Sequence, residues 1–291
     1  MALPEPGSVI VRGVAGMTAN PVAPVVVGVH DSPSSRHAVR LAALEASAQH
    51  RPLRLLHAFN WIPPELDTDF HWSRQDAERQ LAEAERIARA TAPTVETRPE
   101  IVEGVAVIAL LHASRTAALV VVGDGDLARY VSLPVNAISV EVAAQAECNV
   151  MIARNIEERA GPVLVGIDGS ARGEQVLQFA FEAAAHRRTE LLVLAVEEPG
   201  KDEEDDDPGP PPSPEAAIAG WRQKYPGVTV RVRNLRGDPA RLLIEAAQHA
   251  ALLVVGTRGE RPSAGLLGPV CLGVLQHAPC PVAIVRRSPE R

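Results

Sequence analysis

Val25-Val-Val-Gly-Val-His-Asp-Ser32 returns as Val163-Leu-Val-Gly-Ile-Asp-Gly-Ser170, with the two serines 138 positions apart. Each stretch is an unbroken apolar run that stops at polar residues, the pattern of a short strand buried on both faces. Further along, Gly104, Leu110, Ala113, Ala117 and Gly123 match Gly237, Leu243, Ala246, Ala250 and Gly256, every pair 133 apart. Ala146-Glu-Cys-Asn-Val-Met-Ile-Ala-Arg154 then matches Ala278-Pro-Cys-Pro-Val-Ala-Ile-Val-Arg286 at an offset of 132. Three matches in the same order at nearly one offset identify an internal duplication, and small loop indels account for the drift.

Within each copy, strand and helix signals alternate. The first copy predicts strands at 25–29, 53–59, 95–102, 119–122 and 150–153, with helices at 34–50, 72–91, 105–115 and 136–146. The second predicts strands at 163–167, 191–196, 228–234, 252–255 and 282–285, with helices at 174–186, 215–224, 239–249 and 268–277. Strands joined by helices pair in parallel through right-handed crossovers. The expected class is therefore α/β: two tandem open five-stranded parallel sheets with helices on both faces. The expected domains are 24–156 and 157–291, preceded by a Pro/Gly-interrupted tail at 1–23. The run Lys201-Asp-Glu-Glu-Asp-Asp-Asp-Pro-Gly-Pro-Pro-Pro-Ser-Pro214 interrupts the second domain with a composition that cannot bury a core, so it reads as a solvated insertion. Ligands of open parallel sheets sit beyond the carboxyl ends of the strands. That directs attention to the loops after Val29, Phe59 and Val122, and after Ile167, Val196 and Val255.

Composition narrows the functional classes. Of the 291 residues 46% are hydrophobic but only 3% aromatic, so the cores must be built from aliphatic side chains. A formal net charge of −7 argues against nucleic acid or an anionic membrane as a partner. No apolar run approaches the ~18 residues of a membrane span, and the first residues lack a basic start followed by an apolar stretch. A cytoplasmic protein is expected. Cys148, Cys271 and Cys280 are odd in number and lack metal-ligand spacing, so they predict neither disulfides nor a metal site but small buried thiols. Asp168 and Ser170 have no histidine placed with them by any motif, and no nucleophile elbow is present, so no catalytic residue is assigned. His57 at a strand end reads as a packed or rim residue rather than a base. His30, at the ligand-facing end of its sheet, reads as structural because no acid or nucleophile accompanies it.

The stretch Leu252-Leu-Val-Val-Gly-Thr-Arg-Gly-Glu-Arg-Pro-Ser-Ala-Gly-Leu-Leu-Gly-Pro-Val270 carries the candidate chemistry. A buried strand runs into a glycine-containing loop and then a helix start. Such a loop lets backbone amides approach a phosphate, the helix N-terminus adds partial positive charge, and Arg258 adds a formal one.

The order Val-Gly-Ile-Asp-Gly-Ser, Val-Val-Gly-Thr-Arg-Gly, His-Ala-Pro-Cys-Pro-Val resembles the universal stress protein family, over nearly the whole chain and in two tandem copies. The resemblance implies a Rossmann-like fold of the adenine nucleotide alpha hydrolase type and a stress-response role exercised by binding rather than catalysis. It implies ATP or a related adenine nucleotide held by an Asp after the first strand and by a Gly-x-x-Gly, nine residues, Gly-Ser/Thr loop after the fourth. By matching positions, Asp168 would hold the ribose or adenine end, with Val196 and Val255 against the base. Gly256, Gly259 and Gly268 would form the phosphate loop with Val270 behind it. The resemblance also implies an intrachain pseudo-dimer meeting at the fifth strands, with further homodimerisation open.

This sequence departs from that pattern in both copies. Only eight residues separate Gly259 from Gly268, and Pro269 replaces the hydroxyl residue, removing one amide and one hydroxyl from the loop. Two lost hydrogen bonds to a charged group weaken binding by roughly 10²–10⁴-fold. In the first copy His30 stands in place of the Asp, Asp124 and Asp126 enter the loop, and Asn136-Ala137 replaces Gly-Ser. Those carboxylates would repel phosphate, so the first copy reads as a non-binding partner domain. Two readings stay open: a nucleotide site in the C-terminal domain, or an interaction scaffold with both pockets degenerate and its protein partner unidentified. Slow ATP hydrolysis would need Mg²⁺ and a water-positioning group that no motif supplies.

Overall fold

The computed structural model describes residues 22–59, 74–125, 137–154, 160–168, 173–197, 213–257 and 267–286. The tail through residue 21, most of the acidic insertion, Trp61 and Trp72 lie outside the described residues. The first copy runs β1 (Val25–Gly28), α1 (Pro33–Ala48), β2 (Leu53–Phe59), α2 (Arg74–Thr91), β3 (Thr97–Glu103), α3 (Ala106–Ser114), β4 (Leu119–Gly123), α4 (Ile138–Gln145) and β5 (Asn149–Ala153). The second repeats it as β6 (Val163–Ile167), α5 (Gly173–Arg187), β7 (Leu191–Glu197), α6 (Pro214–Lys224), β8 (Val230–Arg236), α7 (Pro239–Ala247), β9 (Leu252–Gly256), α8 (Pro269–His277) and β10 (Val282–Val285).

The elements start where local chemistry sets them. Ser32 accepts from the amide of Ser35, and Pro33 takes the first helical position of α1, where a missing N–H costs nothing. Ser213 and Asp238 cap α6 and α7 in the same way, each followed by proline. Gly104 and Gly237, matched between the copies, both take positive φ (127° and 147°) in the turn from an edge strand into the next helix. That conformation favours glycine and explains its recurrence at this offset.

Within each copy every strand pairing is parallel, in the order β3-β2-β1-β4-β5 and its repeat. The two sheets are not separate. β5 and β10 pair antiparallel (Val150↔Ile284, Met151↔Ala283, Ile152↔Val282) and fuse them into one ten-stranded sheet, β3-β2-β1-β4-β5-β10-β9-β6-β7-β8. The predicted fifth-strand meeting edge is thus the seam of the molecule. α1, α2, α5 and α6 cover one face of the sheet and α3, α4, α7 and α8 the other, and each apolar layer contains residues of both copies.

The edge strands correct the sequence reading by two residues. Expected at 95–102 and 228–234, they run Thr97–Glu103 and Val230–Arg236. Val228 is buried and Val95 packs against the core before pairing begins. Apolar character there marks core filling, while the strand itself is set by its ladder to β2 or β7, whose last pairs are Phe59↔Glu103 and Glu197↔Arg236. Trp221 lies on α6 and stacks with Phe181 and Tyr225 at centroid separations of 6.2 Å each, so it packs against the surface of α5.

A buried ion pair also crosses between the copies. Arg187 at the end of α5 donates to the carboxylate of Glu45 on α1, whose side chain is 4% exposed. Arg187→Met strands that carboxylate and is expected to cost about 3 kcal/mol in urea denaturation. Adding Glu45→Met is expected to restore part of the loss, because an apolar pair replaces an uncompensated charge.

Candidate functional site

The switch point of the second copy lies between β6 and β9, from which the chain crosses in opposite directions along the sheet. Asp168 follows the last residue of β6 and is exposed at this rim, and Gly256 ends β9 beside it. A Cβ on Gly256 would stand 2.8 Å from Val176 Cγ2, so the close approach of α5 to this strand end demands glycine. Val196 on β7 is half-buried. Val255 is only 3% exposed and belongs to the apolar layer with Leu243 and Val274. Of the two valines assigned to a base, Val196 therefore retains open surface and Val255 is core. Arg258 and Gly259 lie outside the described residues.

The far side of the loop is the start of α8. Gly268 is its N-cap, in extended conformation, and no side chain caps the helix. Pro269 occupies the first helical position, and Val270 is half-buried behind it. α1, α6 and α7 share this proline position, but each spends a Ser or Asp oxygen on its own first-turn amide. At α8 the capping glycine offers no such oxygen, as is also true of Val105 at α3 and Ala137 at α4 among the described residues. Sequence reasoning missed what fixes this end to the strand. The Cys271 thiol donates to the Gly256 carbonyl at 3.4 Å, and Cys271 is buried.

The first copy uses the same rim differently. The amide of His30 donates to Ser35 Oγ at 2.9 Å, and that hydroxyl donates to the Gly28 carbonyl at 3.4 Å. His57 is 4% exposed, and its Nδ1 donates to the Val29 carbonyl at 2.9 Å, so of the two expected places, packed or rim, it takes the packed one. Asp124, directly beyond β4, forms an ion pair with Arg154 at 3.0 Å. Asp126 and Asn136 are outside the described residues. Arg154 went unassigned in the sequence reading although it closes the repeated segment that recurs at Arg286, which was the available signal.

Among the described residues no group of three His, Cys, Asp or Glu is placed to hold a metal ion, and no helix is long and apolar enough to cross a membrane. The described cavity of about 510 Å³ lies at the opposite end of the first sheet, lined by Ala46, His50, Arg51, Val95 and Arg98 among others, far along the strands from the switch point.

Two tandem open α/β units, each with a crevice at its switch point, define the class of fold, and sequence comparison supplies the family. The chain belongs to the universal stress protein family, whose model matches residues 22–154 and again 160–286. A universal stress protein of Mycobacterium tuberculosis is 32% identical over 288 residues, covering 91% of this chain and 96% of its own length. The crystal structure of a universal stress protein from Archaeoglobus fulgidus shares the fold with a TM-score of 0.69 at 18% identity, covering 90% of this chain and 96% of that one. A universal stress protein from the same organism, solved in complex with dAMP, matches 46% of this chain and 98% of its own at 20% identity and a TM-score of 0.37.

Two titrations follow from these surroundings. Burial pushes the Cys148 thiol up to about 12, so it is expected to resist iodoacetamide at pH 8 until the protein is unfolded, as mass spectrometry would read. Burial likewise holds His57 below the ordinary histidine value of 6.5, opposed by its bond to Val29 and reinforced by nearby His30. The unfolded chain then binds a proton near pH 6.5 that the folded chain refuses. Stability is therefore complete above that pH and lost as pH falls towards the folded value. His57→Gln is expected to flatten the decline in urea midpoint between about pH 7 and pH 5, by one histidine's share.

Proposed function

We propose that the protein is a stress-response regulator that acts by binding an adenine nucleotide, ATP in the first instance, in the crevice of its C-terminal half. The observation that carries this reading is the uncapped start of α8, held by Cys271 against the end of β9, with Asp168 across the switch point. This arrangement puts an anion-binding helix end on one side and a carboxylate able to accept from ribose or adenine on the other. At the corresponding place in the first copy stands a carboxylate, Asp124, already paired with Arg154. One site per chain is therefore the expectation. Pro269 withdraws one amide from a phosphate, which is consistent with a site of modest affinity.

The proposed activity is binding. The described residues around the crevice offer an anion-binding helix end and one carboxylate, and a regulator needs a ligand-dependent surface rather than turnover. An interaction scaffold is the competing function, favoured by the same Pro269 and by the shortened loop.

Calorimetric titration with ATP, ADP and AMP decides between them. Saturable heat with one site per chain is expected, with Asp168→Ala weakening the affinity about tenfold, the cost of one hydrogen bond to a charged group. No heat up to millimolar nucleotide removes the nucleotide reading and leaves the scaffold. A pull-down comparing the intact chain with one lacking 201–212, which spares the Ser213 cap of α6, then tests whether partners dock on the acidic insertion.

A further inference from the structure

The two copies meet in more than their backbone ladder, and the contact is not symmetric. Arg154, one residue past β5 and 5% exposed, uses one terminal nitrogen on Asp124 Oδ2 at 3.0 Å and donates the other to the carbonyl of Leu275 in α8. Its Nε is buried without a hydrogen-bond partner among the described residues. Arg286, its counterpart in the repeat, donates to the carbonyl of Ala143 in α4, and its amide donates to Asn149 Oδ1 at 2.9 Å. Each copy's closing arginine thus reaches the last turns of the other copy's final helix, where carbonyls without helical partners and the negative end of the helix dipole favour a cation. Among the described residues the carboxylate is present on one side only. The second-copy position matching Asp124 is Thr257, whose amide is taken by the Val285 carbonyl at 3.2 Å. Burial pushes the Arg286 guanidinium below its ordinary value.

The topology gives this asymmetry a consequence. Because β5 and β10 run antiparallel, the carboxyl ends of the two sets of strands lie on opposite rims of the sheet. α8 crosses between those rims. Its end, at Leu275, is bonded to Arg154 just beyond β5 of the first copy, and its start, at Gly268, borders the crevice of the second. A nine-residue helix is a rod of roughly 13 Å, so whatever fixes one end sets the attitude of the other. The Asp124 carbonyl is also held by Ser139 Oγ at 3.4 Å, which ties the anchor to α4.

We propose that Arg154, anchored by Asp124, is a positioning residue for the C-terminal nucleotide site: the first copy's altered loop holds the far end of α8 and so places the uncapped helix start against the phosphates. This inference rests on the adenine-nucleotide reading above. The altered first-copy pocket then has a task of its own, which is to supply a fixed internal anion in place of a bound one and to orient the helix that its twin uses.

The test uses the full chain. Arg154→Met is expected to weaken ATP about tenfold by calorimetry and to speed hydrogen exchange of the first helix-bonded amides of α8, beginning with Leu272, whose N–H donates to the Gly268 carbonyl in the half of the helix remote from Leu275. Asp124→Asn, which alters no residue of the second copy, is expected to produce a smaller change of the same sign. Combining it with Arg154→Met is expected to add nothing further. Glu45→Gln, which disturbs the inter-copy contact on the other face of the sheet, is expected to lower thermal stability while leaving both ATP affinity and α8 exchange unchanged. An Arg154→Met protein that is folded, binds ATP as before and exchanges α8 as before overturns the proposal. So does a Glu45→Gln protein that reproduces its effects, because the role of Arg154 would then be general stability. If Arg154→Met does not fold, Asp124→Asn and Arg154→Lys carry the same comparison. If the unaltered chain takes no ATP, the nucleotide reading has failed by itself. The exchange of α8 then decides alone, faster exchange sustaining the positioning role and unchanged exchange overturning it.

Discussion

The three residue pairs Val150↔Ile284, Met151↔Ala283 and Ile152↔Val282 join two five-stranded sheets that would otherwise each expose a fully apolar edge. β5 and β10 are buried on both faces, so the backbone donors and acceptors along their outer sides have no water to turn to. Pairing the two edges satisfies those groups and removes the association hazard in one step. Two copies of the same unit meeting through the same edge are related by a twofold axis, and a strand meeting its own duplicate about such an axis pairs antiparallel. The one antiparallel ladder in an otherwise parallel sheet is therefore the structural trace of the duplication.

Much else follows from that seam. Antiparallel joining sends the ligand-facing rims of the copies to opposite sides of the sheet, so the two crevices cannot merge into one site. It also makes the final helix of each copy span from its own crevice to the neighbour's rim, where Arg154 and Arg286 receive the helix ends. The copies differ in the residues that face those rims and agree in what packs. Gly104 and Gly237 retain the same turn and the same positive φ. Asp124 and Thr257, at equivalent positions, do opposite things: one carries a charge buried against an arginine, and the other gives its amide to a strand.

How far the candidate site can be read from the sequence differs residue by residue. Asp168 and Gly256 are legible because strand ends and switch points follow from the order of elements, and Gly268 is legible because a glycine before a proline marks a helix start. Val255 is not, since a continuous apolar strand does not say which of its residues face the core and which border a crevice; the packing of α7 and α8 buries it. The bond from Cys271 to Gly256 and the close contact of Val176 with the same glycine depend on distances between elements far apart in the chain. The starts of β3 and β8 were misplaced for a related reason: hydrophobicity reports burial, whereas strand limits on an edge are set by the partner strand.

By itself the sequence determined the duplication, the α/β class, the order of elements, and the departure of the first copy from the loop pattern of the family it resembles. Those features are local or periodic, governed by side-chain spacing, backbone preference and composition, all of which are written along the chain. Only the tertiary structure decided that the fifth strands meet as an antiparallel ladder fusing the sheets, that Glu45 finds Arg187, and that Asp124 finds Arg154 and through it the end of α8. A buried charge needs a partner at hydrogen-bonding distance, and no spacing rule connects residue 124 to 154 or 154 to 275. The antiparallel seam brings them together, turning an apparent defect in one pocket into an anchor for the helix of the other.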